Sequence, residues 1–358
     1  MKSKKIYTYL FLGLMGFILS SMAAKFFKKN NSALLFNLLG HKSGEFILKK
    51  SADNKIHFSI YGEDYSLLKN IPLPFFPMNY QQNLQEKNLI FLMDKINNEI
   101  KKLDLRTGYI STFATFKDIS LTGALTYLKK QNQLILGATT KSRENFLLFL
   151  DSHANIQKKI NLNECLPMQI SISNQNLDSI LISDNKKFFC KFNYKNNSFE
   201  LIQKLTQKQN YNFNFLETKD SEIYFYGNEI KANTMIPLLI RLNYLNHQNL
   251  ANFWNEKPSD TIHSLFFDYQ FDKIWISFKN KNKIFVFDPL KLNIIKIHSI
   301  IGPTYFLPIK KTDKVYVLSE GSENTRFFSL ATLETNRRSN YFIRLEDVLL
   351  PPVAFEGF

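Results

Sequence analysis

The sequence predicts an all-β protein, a propeller of seven blades behind an N-terminal hydrophobic helix. Three observations carry this reading. The chain holds 34 Phe and 16 Tyr among its 358 residues, side chains that suit a pleated, half-buried surface. A phrase of short apolar strands and polar turns recurs every 40 to 55 residues or so, the length of one four-stranded propeller blade. And the chain opens on a long run with no charge at all.

That run is Ile6–Ala24, 19 residues between the basic Met1–Lys5 and the stop Lys25-Phe-Phe-Lys-Lys29. At about 1.5 Å per residue a helix of this length reaches roughly 28 Å, enough for a hydrocarbon core. A charge inside that core costs several kcal/mol, so an uncharged stretch this long is selected for the bilayer or the export machinery. Two readings stay open for residues 1–29. Ser21-Met22-Ala23 offers the small residues of a signal-peptide cleavage site, while the run exceeds the usual 7–15 residues of a signal core. Lysines flank both sides, so the positive-inside rule gives no orientation. Either way the body is expected outside the cytoplasm, periplasmic or at the cell surface, as a secreted or inner-membrane-anchored protein.

The propeller is expected over residues 30–345. Its clearest repeat is Lys273-Ile-Trp-Ile-Ser-Phe-Lys-Asn-Lys-Asn-Lys-Ile-Phe-Val-Phe-Asp-Pro289, followed by Leu292-Asn-Ile-Ile-Lys-Ile297. Further copies pair Asn88–Asp94 with Glu99–Gly108, Leu134–Ala138 with Phe146–Asp151, and Ser179–Asp184 with Phe188–Phe192. Others pair Glu222–Tyr226 with Leu238–Leu242, and Lys314–Leu318 with Arg326–Leu330; Ala33–Asn37 with Phe46–Lys49 is a weaker seventh. These segments are short, β-branched and aromatic without 3.6 periodicity, which disfavours helical repeats. A single blade cannot bury both its faces, whereas blades stacked in a ring bury each other's and leave only short edges. The most apolar strands, such as Ile274-Trp-Ile276 and Val315-Tyr-Val317, are therefore expected innermost. Asp94, Asp104, Asp151, Asp184 and Asp288 follow strands and read as turn residues, whose carboxylates bond nearby backbone N–H groups.

The phrase Lys273–Pro289 resembles the blade repeat of the YVTN and quinoprotein-like propeller superfamily, which reads strand, Asn-rich turn, strand, Asp, turn. The resemblance is one of repeat grammar and spans about residues 33–345. Its members include exported binding proteins, assembly scaffolds and the heavy chains of amine dehydrogenases, so it implies a fold and no single function.

No motif for catalysis is present: no HExxH, P-loop, GxGxxG or GxSxG, and no CxxC. His41, His57, His153, His247, His263 and His298 show no metal-ligand spacing, so no cofactor or metal is expected from motif. A ring still gathers residues from every blade at its axis, so an enzyme of the quinoprotein or lactonase kind, using a metal or a partner subunit, stands as the alternative. The leading expectation is a non-enzymatic propeller that binds a protein or glycan partner or scaffolds a cell-envelope complex.

Candidate contact residues follow from composition. Cys165 and Cys190 lie 25 residues apart and are candidates for a disulfide in an exported chain. Trp275 alternates within a strand and is expected to be buried. Trp254, in Asn252-Phe-Trp-Asn-Glu256, is the better candidate for an exposed contact. The net charge is +15. Residues 1–29 carry six lysines and no acid, and 273–344 carry 13 Lys or Arg against 5 Asp or Glu. Lys279, Lys281, Lys283, Lys310, Lys311, Arg337 and Arg338 in that basic stretch are candidates for contact with an anionic membrane surface. Nucleic acid is disfavoured as a partner by the export segment. Residues 346–358 read as a C-terminal tail, since Pro351-Pro352 has no N–H to give a ladder. In it Phe355 and Phe358 are candidate docking anchors.

Overall fold

A computed structural model describes the strands between Ser43 and Glu356 and most of the turns between them, almost without interruption over residues 53–172. Residues 1–42, 250–261, 339–352 and 357–358, with several short turn segments elsewhere, lie outside the description. The expected N-terminal helix therefore falls outside it. Among the described residues no helix is long and apolar enough to cross a membrane.

The strands form four-stranded antiparallel sheets, the repeating unit of a β-propeller. Sheet 1 takes β1 (Ser43–Lys50), β2 (Ile56–Gly62) and β3 (Leu67–Leu73) from one end of the chain. Sheet 2 runs β4 (Asn79–Gln82), β5 (Leu89–Asp94), β6 (Glu99–Asp104), β7 (Ile110–Thr115). Sheet 3 runs β8 (Ile119–Leu128), β9 (Gln133–Thr140), β10 (Asn145–Leu150), β11 (Ile156–Asn161). Sheet 4 runs β12 (Gln169–Ile172), β13 (Ser179–Ser183), β14 (Phe188–Asn193), β15 (Ser198–Lys204). Sheet 5 runs β16 (Asn210–Glu217), β17 (Ile223–Lys231), β18 (Thr234–Asn243), β19 (Asn246–Asn249). Sheet 6 runs β20 (Ile262–Asp268), β21 (Lys273–Phe278), β22 (Lys283–Asp288), β23 (Asn293–Ser299). Sheet 7 runs β24 (Pro303–Pro308), β25 (Lys314–Ser319), β26 (Arg326–Ser329), β27 (Thr335–Arg338). The last strand, β28 (Val353–Glu356), returns to sheet 1 and pairs with β1, opposing Ser43 to Glu356 and Phe46 to Val353.

Period-two alternation explains how the sheets stack. In β5, Ile90 and Leu92 enter a buried cluster shared with sheet 1, while Phe91 and Met93 enter one shared with sheet 3. In β10, Phe146, Leu148 and Leu150 face sheet 2 while Leu147 and Phe149 face sheet 4. In β21, Ile274, Ile276 and Phe278 pack with sheet 5, and Trp275 packs with sheet 7. Successive side chains of a strand point to opposite faces, so each sheet serves two interfaces at once. Five junctions between consecutive sheets are described in this way, each filled by one apolar cluster.

Two expectations need correction. Strand β4 lies against β8, β8 against β12 and β20 against β24, so the first strand of each sheet is its inner one. The apolar runs Ile274–Ile276 and Val315–Val317 are thus second strands, β21 and β25, rather than innermost. A second strand is covered on both faces and both edges, which selects runs such as Leu89–Asp94, buried at every position. Two inner strands are only four residues long, and one of them, Asn79-Tyr-Gln-Gln82, is mostly polar. The second correction concerns the C-terminus: residues 353–356 belong to the sheet, not to a free tail.

The turns carry the grammar read from the sequence. Asp94 accepts the Asn97 N–H at 3.1 Å, Asp104 that of Arg106 at 2.8 Å, and Asp151 those of His153 and Asn155 at 2.8 and 2.9 Å. Asp288 accepts the Leu290 and Lys291 N–H groups at 3.0 Å. In sheets 2 and 6 an asparagine in the turn after the second strand fastens the sheet to the link that follows it. Asn98, at φ +56°, donates to the Phe116 and Ile119 carbonyls and accepts from Leu121. Asn282, at φ +54°, accepts from Gly302. The short polar side chain of Asn tolerates this left-handed backbone. Gly137 meets a different demand: a Cβ there would run into Thr122 Oγ1 and the Pro167 carbonyl oxygen, where the link to sheet 4 crosses sheet 3.

Candidate functional site

The second strand of sheet 5 and the inner strands of sheets 6 and 7 bring a histidine and two tyrosines together. Strand β20 slips register against β21 between Ile262 and Ser264, leaving His263 as the extra residue. Strand β24 slips likewise between Pro303 and Tyr305. A bulge bends a strand and re-aims a side chain. Here the His263 ring stands edge-on to the Tyr305 ring, centroids 5.3 Å apart and planes at 63°. Tyr226, on the second strand of sheet 5, is within electrostatic reach of the same phenol. Burial pushes its own hydroxyl up to about 12, and Tyr305 adds to the rise. Burial also raises Tyr305. Next to His263 in the chain, Ser264 shares a hydroxyl–hydroxyl hydrogen bond of 2.8 Å with Ser277.

Both phenols stay protonated throughout the physiological range. The group therefore offers neutral hydroxyl donors and aromatic faces around one imidazole. Such an arrangement can stack on and hydrogen-bond to a neutral polar ligand. His263, Tyr226 and Tyr305 come from three sheets and form no sequence motif; the one local signal is the polar His263-Ser264 inside an apolar strand.

A second cluster, at one end of sheet 6, is structural. Asp268 is buried and accepts from the Gln270 and Phe271 N–H groups. Lys273 pairs with Asp288 at 3.1 Å. Burial pushes the Asp288 carboxyl up, but the Lys291 N–H and the Lys273 ammonium outweigh it and hold it below the ordinary carboxylate range. Its stabilising contribution is lost as pH falls below about 4. Asp268 has the opposite sign. Burial raises it, the two N–H groups oppose the rise and Asp272 adds to it, so the net shift is upward. What Asp268 contributes is full below about pH 4 and lost as pH rises through its folded value. Replacing Asp268 with Asn keeps the turn acceptor and removes a buried charge. Urea unfolding of D268N is expected to show a gain of about 1 kcal/mol at pH 7 and none at pH 3. An equal gain at both values would refute the charge argument.

The residues singled out in the sequence are dispersed. Trp275 is fully buried, stacked on His298 at 5.8 Å and 3° between planes. Trp254, Lys279, Lys281, Lys310, Lys311 and Phe358 lie outside the described residues. Lys283 is half-buried at the start of β22. Arg337 and Arg338 end β27. The Phe355 backbone stands opposite Gly44. Cys165 and Cys190 are both buried free thiols in one apolar cluster. No group of three or more metal-ligating side chains occurs among the described residues.

No protein-family model matches the sequence, and no curated protein sequence does. Solved structures do. Hydrazine synthase of Kuenenia stuttgartiensis aligns with TM-score 0.57 and 7% identity over 82% of this chain and 95% of that one. The dihydro-heme d1 dehydrogenase NirN aligns with TM-score 0.57 and 10% identity over 86% and 67%. A functionally unknown protein from Desulfotomaculum acetoxidans aligns with TM-score 0.54 and 12% identity over 87% and 99%. Identities this low carry the propeller fold and nothing finer.

Proposed function

We propose that the chain is a seven-bladed propeller held outside the cytoplasm through its N-terminal apolar run, and that it binds a protein or glycan partner of the cell envelope. The partly buried Tyr226–His263–Tyr305 group carries the binding reading. Neutral phenols and an imidazole edge suit the hydroxyls and apolar faces of a glycan better than they suit an ionic substrate. The uncharged Ile6–Ala24 run supports the location. In a closed ring sheet 7 borders sheet 1, so the basic stretch 273–344 sits close to the membrane segment. Exposed Lys291 and Lys296, beside exposed Leu290 and Ile297, extend this reading to an anionic membrane surface.

Extraction of the full-length tagged chain from its native membranes in mild detergent tests the proposal. The expected result is an intact N-terminus and a stoichiometric partner, with partner recovery falling at least about tenfold, or 1.4 kcal/mol, in a His263→Ala/Tyr305→Ala double variant. A processed chain that purifies alone would overturn it. Two of the fold neighbours bear enzyme names, which supports the alternative of a propeller enzyme that takes a metal or a partner subunit. Stoichiometric metal in the purified chain would favour that alternative.

A further inference from the structure

Cys165 and Cys190 meet at the junction of sheets 3 and 4. Cys165 lies in the link between β11 and β12, where its N–H donates to the Leu162 carbonyl at 3.0 Å and makes a tight turn. Cys190 stands mid-strand in β14, opposite Ile182 on one side and Leu201 on the other. Both side chains are almost wholly buried, in one cluster with Leu162, Ile180, Ile182 and Phe192. Their thiols are within hydrogen-bonding reach of one another.

We infer that Cys165 and Cys190 are a cross-link site, closed as a disulfide that fastens the inter-sheet link to the third strand of sheet 4. The oxidant belongs to the class of disulfide-exchanging thiol oxidants found outside the cytoplasm, so formation in the cell rests on the export proposed above. One cysteine thiolate attacks the oxidant's disulfide and displaces a thiolate. The second cysteine then attacks the mixed disulfide and releases the other. Two cysteine protons are lost, two electrons pass to the oxidant, and it leaves as two thiols. The Cys165 S–H donates to the Cys190 sulfur, and this bond, burial and the nearby Asp184 charge all push the Cys165 thiol up. Folded, it is therefore a poor nucleophile, and the bridge closes before the junction packs shut.

Two arms test the inference on the full chain in mild detergent. In the first, protein from its native host is acid-quenched, denatured and alkylated. No free thiol and a non-reduced Cys165–Cys190 cross-linked peptide are expected by mass spectrometry. In the second, reduced denatured chain is refolded in a glutathione redox buffer. The same peptide is expected, with a melting temperature about 5 °C or more above that of the reduced form, because the bridge restricts the unfolded chain. Cys190→Ser should show neither. Two free thiols after refolding would overturn the inference. A cross-link on refolding with free thiols in the cell would uphold the site and instead overturn the export reading.

Discussion

Removing residues 351–358 is expected to abolish cooperative folding of the whole ring, not to trim a loose end. Strand β28 fills the inner position of sheet 1, in register with Ser43–Phe46. Its loss strips β1 of a strand's worth of hydrogen bonds, each worth about 0.5–1.5 kcal/mol. It also leaves an open edge facing the axis. The sum is several kcal/mol, comparable with the total stability of an ordinary domain of about 5–15 kcal/mol. The neighbouring sheet leans on β1, which β28 pairs, since the Tyr80 hydroxyl donates to the Phe46 carbonyl at 2.9 Å. Circular dichroism melts and size-exclusion profiles of the truncated chain should show a broad, low transition and aggregation. A circular permutant that joins the termini and opens at another turn should melt like the parent. A truncated chain with an unchanged transition would refute the closure.

The second large effect is expected at Trp275. Truncation to Ala should cost about 3–5 kcal/mol, and Trp275→Phe markedly less. The side chain is completely buried and fills the space between sheets 6 and 7 with Ile284, Val286, Val315 and Val317. It stacks on His298 and meets the Phe306 ring edge-on at 6.4 Å. Alternation makes a further demand. Trp275→Ala should be non-additive with Val317→Ala, which shares its cluster. It should be nearly additive with Phe287→Ala, which packs with sheet 5. Denaturant midpoints of the two double variants check this.

The all-β class and most strands were legible because second strands such as Leu89–Asp94 and third strands such as Lys283–Asp288 are apolar at consecutive positions. The phase of the repeat was not. Inner strands such as Asn79–Gln82 and Gln169–Ile172 are only four residues long and carry polar side chains, so they read as loop. The strand that completes sheet 1 hides behind two prolines at the far end of the chain. The aspartate turns were legible because their chemistry is local. The Tyr226–His263–Tyr305 group was not, because its members are brought together by the stacking of three sheets and by register slips, and only the polar His263-Ser264 in an apolar strand marks it locally.

The shared ownership of sheet 1 sets a schedule for biosynthesis. Strands β1 to β3 leave the ribosome before the strands of the other sheets, yet the strand that completes their sheet follows about 300 residues later. At roughly 5–20 residues per second this is a delay of roughly 15–60 s. Through that interval the nascent chain carries an unfinished edge that neither end can cover alone. The sheets thus stay an open series until Val353–Glu356 has been made, and that four-residue strand sets the moment at which they become a finished ring.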